Sequence, residues 1–272
     1  YSDGSNNDVT NLASWSDNSN YAGITSYGYL IANSVVSDQS CTITANYGQL
    51  FVTDNLTIND LAAAPSFVSA TFTDYSTGDD PGDWLDTTFN NSMAENNSLF
   101  KVFNLDGEKV IGTSSTLTNI HTHYVGTGND SLTGYEYKGR MMMTGASSGI
   151  GVTFLSQYPD SDAYYRLRRY GSNSFHISPH GTSVSGDIDT DVTPLANIWY
   201  EFKIQVEDVF NRTEIRAKVW VEGRNEPLDW QVDCYDDNPT RLTTGTIGLW
   251  SYSSGRKYWD DLTLTSMDTR LN

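Results

Sequence analysis

The clearest regular pattern in the chain is the alternation of apolar and polar side chains between residues 199 and 221. In the first half of this stretch the apolar set is Tyr200, Phe202, Ile204 and Val206, and the polar set is Glu201, Lys203, Gln205 and Glu207. Residues 213–221 repeat the alternation after the turn 208–212. A period of two residues is that of a half-buried β-strand, so the pattern predicts an antiparallel hairpin.

Strand signals separated by turn residues continue through most of the chain. The further predicted strands are 67–75, 100–105, 108–112, 117–124, 135–143, 149–155, 163–170, 174–178, 228–235, 246–252 and 257–265. Helical periodicity is nearly absent. The one helix-like stretch, residues 61–64, stops at Pro65. About a dozen short strands with regular turns are typical of a two-sheet antiparallel β-sandwich. We therefore expect an all-β fold from residue 67 onward.

Residues 1–66 differ in composition from the rest. They are rich in Asn, Ser, Asp and Tyr, have no Lys or Arg, and contain only a few short predicted strands, 28–36, 41–46 and 49–58. A segment of this length does not easily bury a core of its own. We expect residues 1–66 to be an N-terminal extension that packs on the sandwich of residues 67–272, or on a neighbouring subunit by lending it a strand.

The charge of the chain excludes one large class of partner. The 16 Lys and Arg residues against 34 Asp and Glu give a formal net charge of −18, which repels a phosphate backbone, so no nucleic acid partner is expected. Residues 1–100 hold eleven Asp, one Glu and no basic residue. This imbalance fits solubility in salty water, cation binding, or head-to-tail attraction between subunits. No apolar run reaches the ~18 residues of a membrane-spanning helix.

Several features indicate a secreted protein. The sequence starts at Tyr1 rather than Met, as expected after removal of a signal peptide. Asn-x-Ser/Thr sites occur at Asn55, Asn90, Asn96, Asn129 and Asn211. The two cysteines, Cys41 and Cys234, could form a disulfide in an extracellular setting, although the sequence does not decide their pairing. We expect an extracellular, cell-surface location.

Short segments in a fixed order carry a resemblance to a known group of folds. They are Phe72-Thr73-Asp74-Tyr75 with Gly82-Asp83-Trp84, then Tyr135 to Arg140, then Trp199 to Val206 with Ile215 to Trp220, and finally Gly245 to Trp250 with Tyr258 to Leu262. Across residues 67–265 this order resembles the concanavalin A-like lectin/glucanase superfamily, in particular laminin-G-like and glycan-binding modules of secreted bacterial proteins. The resemblance implies a jelly-roll β-sandwich and a glycan partner. Residues 1–66 resemble no family.

Aspartates cluster at the first and last predicted strands of the sandwich. The candidate metal ligands are Asp74, Asp80, Asp83, Asp260 and Asp261. In sandwiches of the resembled kind the first and last strands are often neighbours, so these carboxylates could together hold Ca²⁺, a cation that prefers oxygen ligands. The alternative is that they are solvated turn residues at strand ends. Ca²⁺ is the cofactor that the sequence predicts.

A second candidate site lies on the predicted strand 163–170. Tyr164, Arg166, Arg168 and Tyr170 occupy alternate positions and share one face, and His176 follows shortly. Tyrosine rings can stack on sugar rings, while the guanidinium group of arginine binds carboxylate or sulfate through two parallel hydrogen bonds. The pattern predicts binding of an anionic glycan. The alternative for the arginines is a cross-strand salt-bridge face.

Trp220 and a pair of histidines complete the candidate residues. Trp220 falls on the polar face of its strand, with Arg216 and Lys218. We expect it to be exposed, for sugar stacking or for a subunit contact. His121 and His123 share a strand face, but two ligands alone make a weak metal site, so we interpret them as a surface pair.

Taken together, these patterns favour binding over catalysis. The Glu-x-Asp-x-x-Glu run of retaining glucanases in the resembled superfamily is absent. We predict a non-catalytic extracellular surface protein, a lectin-like structural or adhesive subunit with calcium-supported glycan binding, which self-associates in a filament or surface layer through its N-terminal extension. The alternative is a polysaccharide-degrading enzyme, a lyase or glycosidase acting on an anionic glycan, because Tyr, Arg and His are the residue types that a lyase uses as base, neutralising cation and acid.

Overall fold

The computed structural model describes residues 8–28, 30–32, 35, 38–58, 66–88, 95, 98–126, 133–209 and 211–267. The chain divides into two compact units, Tyr1–Ala64 and Pro65–Asn272. Throughout the described ranges the regular structure is β-strand, apart from a single 3-10 turn at Thr10–Leu12. In these ranges no helix is long and apolar enough to cross a membrane.

The first unit contains two small antiparallel sheets. Its strands are β1 (Ser14–Asp17), β2 (Ala22–Ile24), β3 (Leu30–Ala32), β4 (Gln39–Tyr47) and β5 (Leu50–Ile58). The strand order is β1-β4-β5 in one sheet, and β2 pairs with β3 in the other. A tight turn joins β4 to β5 with Gly48 at φ +63°, a left-handed conformation that glycine adopts without steric cost. Cys41 and Ile58 are buried, whereas Leu50 and Phe51 on the edge strand β5 are exposed.

The second unit is a β-sandwich. Its strands are β6 (Ser66–Ala70), β7 (Trp84–Thr87), β8 (Lys101–Leu105), β9 (Glu108–Thr113), β10 (Ile120–Tyr124), β11 (Tyr135–Met143), β12 (Gly149–Ser156), β13 (Tyr165–Arg169), β14 (His176–Ile177), β15 (Ser185–Asp187), β16 (Tyr200–Val209), β17 (Arg212–Val221), β18 (Val232–Asp236), β19 (Thr246–Tyr252) and β20 (Lys257–Ser266). One sheet has six strands in the order β14-β13-β12-β19-β10-β7. The other has nine, in the order β15-β18-β17-β16-β11-β20-β9-β8, with β6 also paired to β20. The predicted all-β, two-sheet antiparallel jelly-roll is confirmed.

The alternating hairpin forms as predicted and shows how the core is built. β16 and β17 pair from Tyr200 opposite Val221 to Val209 opposite Arg212, and their inward apolar side chains are buried, except for Val221 at the end of β17, which is exposed. They join apolar residues of the six-stranded sheet in one continuous core. Burial of each large apolar side chain stabilises the fold by about 1.5–3 kcal/mol, and this burial fixes which face of every strand points outward.

The two cysteines, whose pairing the sequence leaves open, lie in different units of the chain. Cys41 lies on β4 of the first unit, Cys234 lies on β18 of the second, and both are buried free thiols. Cys234 packs in the core of the sandwich, where burial raises the pKa of its thiol to about 12. Its environment is that of a small apolar side chain rather than of a reactive thiol.

Candidate functional site

The outer face of the six-stranded sheet carries a dense group of basic, aromatic and imidazole side chains. On β13, Tyr165 and Leu167 belong to the core, while Arg166 and Arg168 point to the opposite face of the sheet. We call this surface the arginine face. It comprises Tyr164, Arg166, Arg168, Tyr170, His176, His121, His123 and Trp250. These residues lie on or directly beside five neighbouring strands of one sheet, β14, β13, β12, β19 and β10. A regular sheet therefore positions the whole group.

Both outward arginines stack on aromatic rings. The Cζ atom of Arg166 lies 4.8 Å from the ring centroid of Trp250 and 5.3 Å from that of Tyr164. The Cζ atom of Arg168 lies 4.7 Å from the ring centroid of Tyr170 and 5.3 Å from that of Trp250. Cation–π contacts contribute about 0.5–2 kcal/mol each. They fix the guanidinium groups but leave the N–H donors at the rim of each group available.

Among the described residues, no carboxylate is in ion-pair contact with either of these arginines. Arg166 is 4% exposed, and its Nε and Nη1 atoms have no hydrogen-bond partner among the described residues. Its Nη2 donates one long hydrogen bond of 3.5 Å to the Oγ of Ser178. In the part of the chain that the structure describes, neither Arg166 nor Arg168 forms an ion pair. Asp162, whose charge also acts on Arg166, instead binds the Nε2 of His180 at 3.0 Å.

Burial lowers the pKa of Arg166 to about 10 and lowers that of Arg168 as well. At neutral pH the Arg166 side chain therefore stays protonated. An unpaired buried charge is unfavourable, since the protein interior does not replace the water that the ion loses. The arginine face is consequently a positively charged surface in an acidic protein.

Arg140 on β11 shows the opposite arrangement, on the nine-stranded sheet. Its guanidinium group lies 2.7 Å from Asp260, 2.9 Å from Glu108 and Glu222, and 3.0 Å from Asp261. A guanidinium held by four carboxylates has little capacity left for a ligand. The salt-bridge interpretation that the sequence left open for Arg166 and Arg168 describes Arg140 instead.

Two histidines that the sequence suggested to be a surface pair are buried within the arginine face. His121 lies opposite Trp250 across β10 and β19. The ring of His123 stacks on Tyr158 at 4.2 Å, and the ring of His121 lies 5.0 Å from that of Tyr164. Burial lowers the pKa of His123 to about 3 and that of His121 well below its usual value. Both imidazoles are therefore neutral at pH 7.

Tyr164 lies at the centre of a group of unsatisfied polar atoms. Its buried hydroxyl has no hydrogen-bond partner in the described ranges, and burial raises its pKa to about 12. The Nε2 of the adjacent His121 also lacks a partner there. The phenol, this imidazole nitrogen and the Arg166 guanidinium are thus unsatisfied together. Because buried polar groups are nearly always hydrogen-bonded, this concentration indicates that a ligand or ordered solvent completes the group.

Two glycines leave the middle of the face without side chains. Gly151 lies on β12 and Gly248 on β19. A Cβ atom on Gly248 would come within 2.6 Å of the Thr153 Oγ1 and 3.3 Å of the His123 Nδ1. Glycine inside a strand often marks the close approach of another group. This was the one sequence signal that could have pointed to the buried histidines.

The outer edge of the arginine face is more open. Tyr170 is 37% exposed, and its ring lies 5.9 Å from that of Tyr252 and 6.3 Å from that of His176. His176 pairs with Arg168 across β14 and β13. The structure therefore brings together five of the six predicted glycan-binding residues, namely Tyr164, Arg166, Arg168, Tyr170 and His176.

Trp220, the sixth, lies elsewhere. It is on β17 in the nine-stranded sheet, where it lines a cavity of about 400 Å³ with Glu201 and Glu226. Trp220, which the sequence predicts to be exposed for sugar stacking or a subunit contact, is half-buried and lies on a different sheet from Arg166 and Arg168. Alternation within a strand assigns a residue to a face, but it does not reveal which of the two sheets the strand joins.

The predicted calcium site does not form either. Its candidate ligands were Asp74, Asp80, Asp83, Asp260 and Asp261. Asp260 and Asp261 are bound to Arg140, whose positive charge opposes a cation there. Asp74 and Asp83 line a different cavity. Within the described residues no group of three or more His, Cys, Asp or Glu side chains is placed to hold a metal ion, so this donor set does not fit Ca²⁺.

No known protein family matches the sequence, and no curated protein matches it. Solved structures resemble the fold. The carbohydrate-binding module CBM66 from Bacillus subtilis is 13% identical with a TM-score of 0.45, over 68% of this chain and 96% of the module. A seed lectin of Lotus tetragonolobus is 8% identical with a TM-score of 0.40, over 74% of this chain and 98% of the lectin. SCLam, a non-specific endo-beta-1,3(4)-glucanase of family GH16, is 10% identical with a TM-score of 0.47, over 76% and 92%.

These similar structures are a binding module, a lectin and a glucanase, which is the group of folds that the sequence resemblance names. Similarity this distant assigns neither a ligand nor an activity, because one fold serves many functions.

Proposed function

We propose that the chain binds an anionic glycan on its arginine face. The observation that carries the proposal is that Arg166 and Arg168 have no carboxylate partner within the described ranges, although the chain contains 34 acidic residues. A buried charge without a counter-ion costs several kcal/mol even after the protein relaxes. That cost is offset when an anionic ligand supplies the missing negative charge.

The chemistry of the face suits a polysaccharide with carboxylate or sulfate groups. Arginine binds such groups through two parallel hydrogen bonds, and aromatic rings stack on the apolar faces of sugars. Arg168 and Tyr170, at the open edge, would make the first contacts. Arg166 and the Tyr164 hydroxyl would then hold an anionic group further in, where exclusion of water strengthens the attraction.

The proposed role is that of a non-catalytic extracellular protein, adhesive or structural, that assembles with other copies. The first unit supports this part of the proposal through its edge strand β5, where Leu50, Phe51 and Val52 are all exposed. An edge strand with exposed apolar residues is a template for pairing with another chain. Size-exclusion chromatography and negative-stain imaging should show oligomers for the full chain. Val52→Lys should shift them toward monomers, and a monomeric native chain would refute assembly.

Glycan binding is tested with immobilised polysaccharides of three kinds: a polyuronate, a sulfated polysaccharide and a neutral glucan. We expect retention on an anionic polymer, none on the glucan, and weaker retention as salt is added. Arg168→Ala should weaken binding about tenfold, as expected for a lost charge-assisted hydrogen bond of roughly 1.5 kcal/mol. Arg224→Ala, at an exposed arginine in the turn after β17, is the matched control. Equal binding by the two variants would refute the assignment.

A lyase acting on the same glycan is the second candidate, and a specific feature favours it. Tyr164, His121 and Arg166 are adjacent, and they are a proton donor, a neutral base and a cation that can neutralise a uronate. In β-elimination a base removes the proton beside the carboxylate, the glycosidic C–O bond breaks, a C=C bond forms, and an acid protonates the leaving oxygen. Ultraviolet absorbance from unsaturated products that is lost in Tyr164→Phe would establish the lyase. Retention without such products would establish the binding protein.

A further inference from the structure

A cavity on the sandwich combines aromatic rings with carboxylates. It has a volume of about 330 Å³ and is lined by residues 68–75 together with Asp83, Trp84 and Tyr124. None of these lining residues is basic. The cavity lies where β6 ends and β7 begins, and none of its residues belongs to the arginine face. Its volume is at the small end of ligand sites, which suits a single sugar-sized molecule.

Four aromatic residues surround the cavity at different angles. Phe72 lies 6.3 Å from both Tyr75 and Trp84, measured between ring centroids, and the Trp84 ring lies 5.6 Å from that of Tyr124. The planes of these pairs meet at 43°, 52° and 66°. Rings inclined in this way do not stack into a flat block. Instead they line the cavity from several directions. The π-face of an aromatic ring attracts a cation, so such a lining favours a positively charged ligand.

An unusual backbone conformation shapes this end of the cavity. The sequence predicts a strand over 67–75, but β6 stops at Ala70 and Phe72 has φ +56°. This left-handed conformation is rare and strained for a bulky side chain. The turn is closed by the Tyr75 N–H, which donates to the Phe72 carbonyl at 3.2 Å. It buries the Phe72 ring while leaving Asp74 exposed at the cavity.

The charge at the cavity is negative. Asp74 and Asp83 are both exposed and have no basic residue beside them in the lining. The pKa of Tyr124 is raised first by burial and then by the charges of Asp83 and Tyr75, so the carboxylate acts on the aromatic wall. Two carboxylates are too few to enclose a divalent cation, but they can accept hydrogen bonds from an ammonium group.

We propose that this cavity binds a protonated primary amine carried on a small polar ligand, with an amino sugar as the class that fits best. The ammonium group would donate hydrogen bonds to Asp74 and Asp83 and lie against the rings of Trp84 and Tyr124. The hydroxyl groups of Thr71 and Thr73 offer further hydrogen bonds for the sugar. The site is independent of the arginine face, which repels cations.

Saturation-transfer NMR on the full chain tests the proposal with three matched probes. Glucosamine, glucose and N-acetylglucosamine share a ring, but only glucosamine carries a positive charge at neutral pH. We expect glucosamine to bind in a salt-sensitive manner and the other two to show at least tenfold weaker signals. Asp83→Asn and Asp74→Asn should each weaken glucosamine binding about threefold, since each removes one partly solvated charge.

Asp160→Asn, at an exposed carboxylate on a different turn, is the control and should leave glucosamine binding unchanged. Both test positions are exposed, so the variants should fold. Equal binding of glucose and glucosamine would overturn the amine assignment. Glucosamine binding that survives in the double variant of Asp74 and Asp83, or that is absent from the native chain, would overturn the site.

Discussion

Replacing Arg166 by methionine should stabilise the unliganded protein and abolish glycan binding at the same time. The Arg166 side chain is buried, and the described residues give its Nε and Nη1 no partner. Methionine keeps a long unbranched stem that can pack on Trp250 and Tyr164, but it carries no charge and no donor. If the guanidinium is present for a ligand, the free protein should be more stable without it.

The size of the effect follows from the pKa of the side chain. Burial lowers the pKa of Arg166 from 12.5 to about 10, and each pKa unit corresponds to 1.36 kcal/mol, so the charged form is disfavoured by roughly 3 kcal/mol. The two lost cation–π contacts give back about 1 kcal/mol when each is taken at the lower end of its range, near 0.5 kcal/mol. The net gain is about 2 kcal/mol, which raises the melting temperature of a unit of this size by roughly 4–8 °C.

Thermal unfolding with and without an anionic polysaccharide measures both halves of this prediction. The glycan should raise the melting temperature of the native chain and leave that of Arg166→Met unchanged, because a ligand stabilises only the protein that binds it. Arg140→Met is the matched control and should be destabilising, since it leaves Asp260 and its neighbours without their counter-ion. If Arg166→Met lowers the melting temperature as Arg140→Met does, the interpretation of Arg166 as a ligand-binding residue is wrong.

Two further predictions concern pH. The pKa of His123 is lowered to about 3, so the folded state should lose stability as pH falls from 6.5 toward 3, by about 3 kcal/mol at pH 4. His123→Phe, which keeps the ring stacked on Tyr158, should reduce that loss in chemical denaturation at pH 7 and pH 4, and an unchanged loss would contradict the assignment. The pKa of Asp86 is raised to about 7, chiefly by burial, so the folded state is disfavoured as pH rises from 3.8 through 7. Asp86→Asn retains an acceptor for the Leu99 and Phe100 N–H groups and should be more stable than the native chain at pH 8, by up to about 4 kcal/mol, with no difference at pH 4.

The fold could be predicted from the sequence because its information is local. Alternation over 199–207 and 213–221 requires only that one strand face be buried, and β16 and β17 form with that face inward. The same reasoning placed Arg166 and Arg168 on one face, as the shared contact with Trp250 shows. The local pattern does not show where a strand is interrupted by a turn. The segment 67–75, for example, is predicted as one strand, but the chain turns at Phe72.

The site could be predicted only in part, because its remaining features depend on which strands become neighbours. Trp220 occupies a position of the alternating pattern that points outward, but its strand β17 belongs to the nine-stranded sheet and not to the sheet that carries Arg166 and Arg168. His121 and His123 are outward on β10, yet they are buried because Tyr158 and Tyr164 lie over them. No pattern within a single strand carries that information.

The two kinds of arginine show most clearly what separates a structural charge from a binding one. Lys138-Gly139-Arg140 and Arg166-Leu167-Arg168 are both basic pairs at alternate positions of a strand, and the sequence alone treats them alike. Arg140 is neutralised by Glu222 and Asp260, which are 82 and 120 residues away in the chain. Arg166 and Arg168 meet aromatic rings in the corresponding places. Aromatic rings hold a guanidinium group in place without accepting its hydrogen bonds. The strands beside β13 therefore fix the position of a cation and leave its N–H donors available to a ligand, whereas the carboxylates around Arg140 on β11 already accept the hydrogen bonds of that guanidinium group.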